Sequence, residues 1–143
     1  MKKTAIFMIL STVMIASCAK RGPTDEQISN ADYGTVPVNQ KEIVINHVKM
    51  RLYDHGSAQY DKWSNLVKGW SNGYDGTHYG YKGCVYINSK NRMGGYVGFK
   101  PYVYIIRNDN VVFINGDMQS GTVGEQEILR QCSAIYQQVK TMP

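Results

Sequence analysis

A small α+β domain is predicted: an N-terminal helix, an antiparallel sheet of three to four strands, and a C-terminal helix packed on one sheet face. Three observations carry this prediction. Apolar residues recur at helical spacing in two separated stretches, around residues 43–52 and 128–139. Between them the chain turns to Tyr, Val, Ile and Gly with period-two alternation, which is strand chemistry. No span of about 10 or more residues between those strands offers a crossover helix, so an antiparallel sheet is expected. Roughly 100 ordered residues supply one modest core.

The first helix is expected over residues 39–52. Asn39 is placed to cap it, Glu42 stands three positions on as the capping-box partner, and Val38 and Ile43 can staple the entry. Ile43, Val44, His47, Val48, Arg51 and Leu52 form its stripe, and Gly56 suits the left-handed position beyond the last turn.

Three strands are expected at 81–88, 102–107 and 111–114, with a weaker one at 64–70 before a loop at 72–76. Asn108 and Asp109 tolerate positive φ, so the last two strands form a tight hairpin. The closing helix is expected from about Glu125 to Lys140, with Ile128, Leu129, Cys132, Ile135, Tyr136 and Val139 on one side.

The stretch before the domain is of another kind. Lys2 and Lys3 precede an apolar run through Ile15, interrupted by Ser11 and Thr12, which leads into Ala16-Ser17-Cys18. The run falls short of the roughly 20 apolar residues a transmembrane helix needs. Basic start, short apolar middle and small exit residues are the marks of a secretory signal peptide. A cysteine directly after Ala-Ser resembles the bacterial lipobox. That resemblance implies removal of residues 1–17 and acylation of Cys18, and Ala19 in place of an aspartate implies the outer membrane. Several acyl chains at about 0.8 kcal/mol per buried methylene would make the anchor stable. The membrane is thus the first expected partner, through lipid on Cys18.

Residues 19–38 are polar, carry Gly22-Pro23, Gly34 and Pro37, and show no apolar period, so a flexible tether is expected there. Removing residues 1–17 takes two lysines and no acid, so 16 basic residues become 14 against 11 acidic ones. These charges are scattered rather than gathered on one face, which argues against nucleic acid as a partner.

Two phrases resemble a family of small uncharacterised bacterial envelope proteins. Leu52-Tyr53-Asp54-His55-Gly56-Ser57-Ala58-Gln59-Tyr60 is similar to an L-K-D-P-x-S-A-x-[FY] stretch, with His55-Gly56 where that family carries proline. Asn88-Ser89-Lys90-Asn91-Arg92-Met93-Gly94-Gly95-Tyr96-Val97-Gly98 is similar to its N-[AS]-K-N-x-x-G-G-Y-x-G segment. The resemblance implies a domain type and an envelope setting, not a reaction. Physically, Gly94, Gly95 and Gly98 permit a turn closed to other residues. A phosphate cradle is disfavoured, because the Walker spacing and a following helix are missing.

No catalytic role, metal or cofactor is expected. His47, His55 and His78 lack ligand spacing, no Cys-x-x-Cys occurs, and neither G-x-S-x-G nor H-E-x-x-H is present. With Cys18 acylated, Cys84 and Cys132 are the remaining thiols in an oxidising compartment, and a disulfide between them is expected.

Eleven tyrosines and two tryptophans are a heavy aromatic load. If both helices share one sheet face and Cys84 turns toward the closing helix, then Lys82, Cys84, Tyr86 and Asn88 point inward. Trp70, Tyr79, Tyr81, Val85 and Ile87 then form an outer patch for an envelope protein or a glycan. The function expected is a non-enzymatic, lipid-anchored binding or assembly module at the outer membrane, its domain facing the periplasm. The alternative is an inhibitor or accessory factor of a peptidoglycan hydrolase or lysozyme. Host lysozymes are often basic, so the slightly basic domain gains no steering toward them.

Overall fold

The computed structural model describes residues 22–116 and 123–141, and the signal segment and Cys18 lie outside them. The architecture is α+β with an antiparallel, curled sheet and a C-terminal helix against it. The elements in order are α1 (Asp25–Ser29), α2 (Gln40–Lys49), β1 (Asp54–Asp61), β2 (Val67–Asn72), β3 (Thr77–Lys90), β4 (Lys100–Arg107), β5 (Asn110–Asn115) and α3 (Val123–Thr141).

The 14-residue strand β3 is the spine. Along one side of it run β2, paired with its first half, and β1, paired with its second half. Between those two stretches Ser64 keeps the row together: its amide donates to the Cys84 carbonyl at 2.9 Å, and its hydroxyl accepts from the Cys84 amide at 2.8 Å. On the other side of β3 lie β4 and then β5. Asn108 and Asp109 take φ of 49° and 58°, giving the tight hairpin their sequence calls for.

The two helices do not share a face. Val44 and Val48 of α2 pack with Val85, Ile87, Tyr104 and Ile106. Ile128, Cys132 and Ile135 of α3 pack with Val67, Cys84 and Val103. Successive strand residues point to opposite faces, and here Cys84 and Val85 are both fully buried. The sheet therefore lies between two helical layers. The physical reason was present in β3 itself: a strand apolar on both faces is covered on both.

Helix α2 is shorter than its stripe suggested, ending at Lys49, and Asn39 makes no side-chain capping bond. Val38 is 92 % exposed, so the staple across the cap does not form. Gln40 ties the helix start instead, its Nε2 donating to the Ser64 carbonyl at 2.8 Å and to the Tyr104 hydroxyl at 2.7 Å. Residues placed beyond the helix as its terminating turn belong to β1.

The expected tether is largely folded. Thr24 and Gln27 close a full capping box on α1. After it, the Tyr33 ring meets Tyr79 edge-on at 6.1 Å, the Tyr33 hydroxyl donates to the Ile28 carbonyl, and Arg107 donates to Asp32. The Thr35 amide donates to Asn108 at 3.3 Å, and Pro37 is buried. Residues 22–38 thus form a strap across the sheet, so the described fold includes residues before Asn39.

Candidate functional site

The five residues expected as an outer patch do not form one open surface. Val85 and Ile87 are core beneath α2. Trp70 and Tyr79 face one another across the β2–β3 hairpin, and the strap lies over them. A Cβ added to Gly22 would stand 2.6 Å from Trp70 Cη2, so only glycine lets the chain approach the indole this closely. Tyr81 is half-buried. The aromatic cluster already has a partner, and that partner is the chain's own N-terminal segment.

The disulfide is present. Cys84 on β3 and Cys132 on α3 are joined with their Cα atoms 5.6 Å apart, both at most 1 % exposed. Alternation on β3 and the stripe of α3 bring them together across the α3 layer.

The same face holds a group that composition alone does not mark. Lys82 shares the Cys84 side of β3, and its Nζ donates to the Trp70 carbonyl at 3.0 Å and to Gln131 Oε1 at 2.8 Å. Burial pushes its ammonium down to about 8, with Glu127 opposing and Arg130 reinforcing that shift. Glu127 itself is held down to about 2, chiefly by hydrogen bonds from Arg130 and Gln131. These side chains line a cleft of about 660 Å³ between β2, α3 and the strap, where Tyr33, Lys68, Trp70 and Asn72 also stand. The cleft offers cationic, amide and aromatic groups together with the Glu127 carboxylate, which suits polar ligands. The signal in the sequence was a lysine on the same strand face as a bridging cysteine.

Lys82 yields a test of burial. Its pKa is about 8 in the folded chain against the unfolded value near 10.5, so between these the unfolded state binds more protons. Stability from this group therefore rises with pH over that window, and the full cost is borne below it. In urea titrations the wild-type midpoint is expected to climb from pH 8 to pH 10 relative to Lys82→Met, with the variant the more stable at pH 7. Parallel pH profiles for the two proteins would contradict a buried Lys82.

The histidines remain apart. His78 Nε2 lies 2.8 Å from Asp75 Oδ1 at the tip of the β2–β3 hairpin, while His47 sits on α2, its pKa lowered by burial and by Arg51. Among the described residues no group of three His, Cys, Asp or Glu side chains is placed to hold a metal. Ser71 pairs with His78 in register, but its buried hydroxyl has no hydrogen-bond partner, so no relay from serine to imidazole is formed.

The glycine-rich phrase is a built turn between β3 and β4. Asn91 Oδ1 accepts from the amides of Met93 at 3.0 Å and Gly95 at 3.1 Å, and Asn88 Oδ1 accepts from Gly98 at 2.9 Å. Gly94 and Gly98 take φ of 81° and 89°. The amides that would cradle a phosphate are thus spent on asparagine side chains. The same turn holds out Met93, Tyr96, Val97 and Phe99, from 43 to 94 % exposed, and Lys90 Nζ lies over the Tyr96 ring at 5.3 Å.

Compared with known proteins, the chain matches no family model, no curated protein and no solved structure.

Proposed function

We propose that this protein is a lipid-anchored, non-enzymatic module of the bacterial envelope, held at the outer membrane by acyl chains on Cys18, with its domain in the periplasm. The observation that carries the reading is the Cys84–Cys132 bridge. The chain has three cysteines, so Cys18, directly after the apolar run, is the thiol left outside a disulfide. Disulfides persist in oxidising compartments, which is where the lipobox reading sends the chain.

The surface offered for binding or assembly is the Asn91–Phe99 turn in place of the covered aromatic patch. Four large apolar side chains stand out on a backbone fixed by Asn88 and Asn91, with Lys90 and Arg92 beside them. Apolar exposure gathered in one turn marks contact surfaces, and a fixed turn loses little entropy when a partner docks.

Metabolic labelling tests the anchor. Cells fed an alkyne analogue of palmitate are expected to label the wild-type chain, and labelling should vanish in Cys18→Ala. Equal labelling of the two, or none of either, would overturn the reading.

A further inference from the structure

We infer that, in the anchored protein, the strap and the free edge of β2 face the bilayer, and the glycine-rich tip is carried away from it. The occupant of the β2 edge is then the headgroup layer around Cys18, meeting exposed Lys68 and Arg130. This inference rests on the lipid-anchor reading above and adds an orientation to it.

The argument is one of reach. The described fold begins at Gly22, packed on the indole of Trp70. Four residue steps separate Gly22 from Cys18, and a fully extended chain spans no more than about 3.6 Å per residue, so the leash is at most about 15 Å whatever its path. A domain of this size is roughly 35 Å across. The leash is shorter than the domain, so orientations that put Gly22 on the far side are closed to the anchored chain.

The spine places the other end. Trp70 is opposite Tyr79 near the start of β3, whereas Lys90, which opens the glycine-rich turn, ends it. At about 3.3 Å per residue the two rungs are up to roughly 35 Å apart along the strand. The membrane-proximal and tip surfaces thus sit at opposite ends of one rigid element.

The chemistry of the near end fits a headgroup layer. Lys68 and Arg130 are exposed there and suit anionic headgroups, whereas Trp70 and Tyr33 are packed against Gly22 and Tyr79. Asp25 and Glu26 on the strap and Glu127 on α3 stand nearby, the last tied to Arg130. These acids offset much of the positive charge, so the leash rather than electrostatics sets the orientation, and added salt should leave it unchanged.

Paramagnetic relaxation reads the orientation directly. The mature chain, with Cys84 and Cys132 bridged, carries Cys18 as its one free thiol, which couples to a maleimide-headgroup lipid in nanodiscs doped with a gadolinium-chelate lipid. Amide signals from α1 and β2 are expected to lose most of their intensity, and those of residues 91–99 to keep theirs. Broadening that is uniform, or stronger at the tip, would overturn the inference. A variant with about fifteen Gly/Ser residues inserted after Arg21 gains roughly 50 Å of reach and should lose the contrast. Persistence of the contrast in that variant would show that the leash does not set the orientation. Because the coupling is chemical, the result stands apart from whether cells acylate Cys18, which the labelling experiment reports.

Discussion

Replacing Cys84 and Cys132 together by alanine is expected to cost the domain about 4 kcal/mol, since a loop of some 49 residues is no longer closed in the unfolded chain. Domains of this size are stable by only about 5–15 kcal/mol, so the loss is a large share of the total. The bridge also joins β3 to α3 inside the Val67, Val103, Ile128 and Ile135 cluster. Loosening there should expose the Lys82 cleft, which shares α3 and β2. Urea unfolding of the wild type with and without reductant, beside the double alanine variant, measures the effect. A shift below about 1 kcal/mol would mean that packing alone holds α3 to the sheet.

Ile87→Asp is expected to unfold the domain or to cost roughly 4 kcal/mol or more, because it buries a carboxylate without a partner. Ile87 is 2 % exposed and lies among Val44, Val48, Val85, Tyr104 and Ile106, beneath α2. Met93→Asp on the glycine-rich turn is expected to change stability by less than about 0.5 kcal/mol, since Met93 is 94 % exposed. The pair separates core from contact surface. If Ile87→Asp folds normally, α2 does not cover that face and the open aromatic patch returns. If Met93→Asp unfolds the domain, the turn is structural and is not a surface on offer.

Much of the fold could be read from periodicity. The stripe of α3, the alternation of β3 and the hairpin at Asn108-Asp109 are strong signals, whereas the pairing of Cys84 with Cys132 follows from their being the thiols left once Cys18 is read as acylated. Strand β1 was hidden because His55, Gly56, Ser57 and Gln59 carry no strand preference. It exists through its pairing with β3, as tertiary context overrides propensity. The strap was hidden for a related reason. Helix α1 buries no residue, and its local marks are the Thr24-x-x-Gln27 capping box and the acids Asp25 and Glu26 in its first turn.

The displaced patch had one cause. Tyr81, Val85 and Ile87 on one face of β3 and Cys84 on the other require cover on both, and a one-sided arrangement of helices left half of them in water. With α2 over Val85 and Ile87, and the strap over Trp70 and Tyr79, that apolar surface is accounted for within the chain. Of the aromatics left exposed, Tyr96 and Phe99 lie in the turn that Asn91 and Asn88 hold in place, while Tyr53 stands just before β1 and Tyr74 between β2 and β3.

The anchor is the claim on which function and orientation both depend, and intact-mass analysis of the protein extracted from membranes tests it most directly. The expected result is a chain beginning at Cys18, its mass raised by a diacylglycerol and an N-terminal acyl group, with Cys84 and Cys132 unreactive to alkylation. A chain that retains residues 1–17, or one that begins at Cys18 without added lipid, would contradict the account.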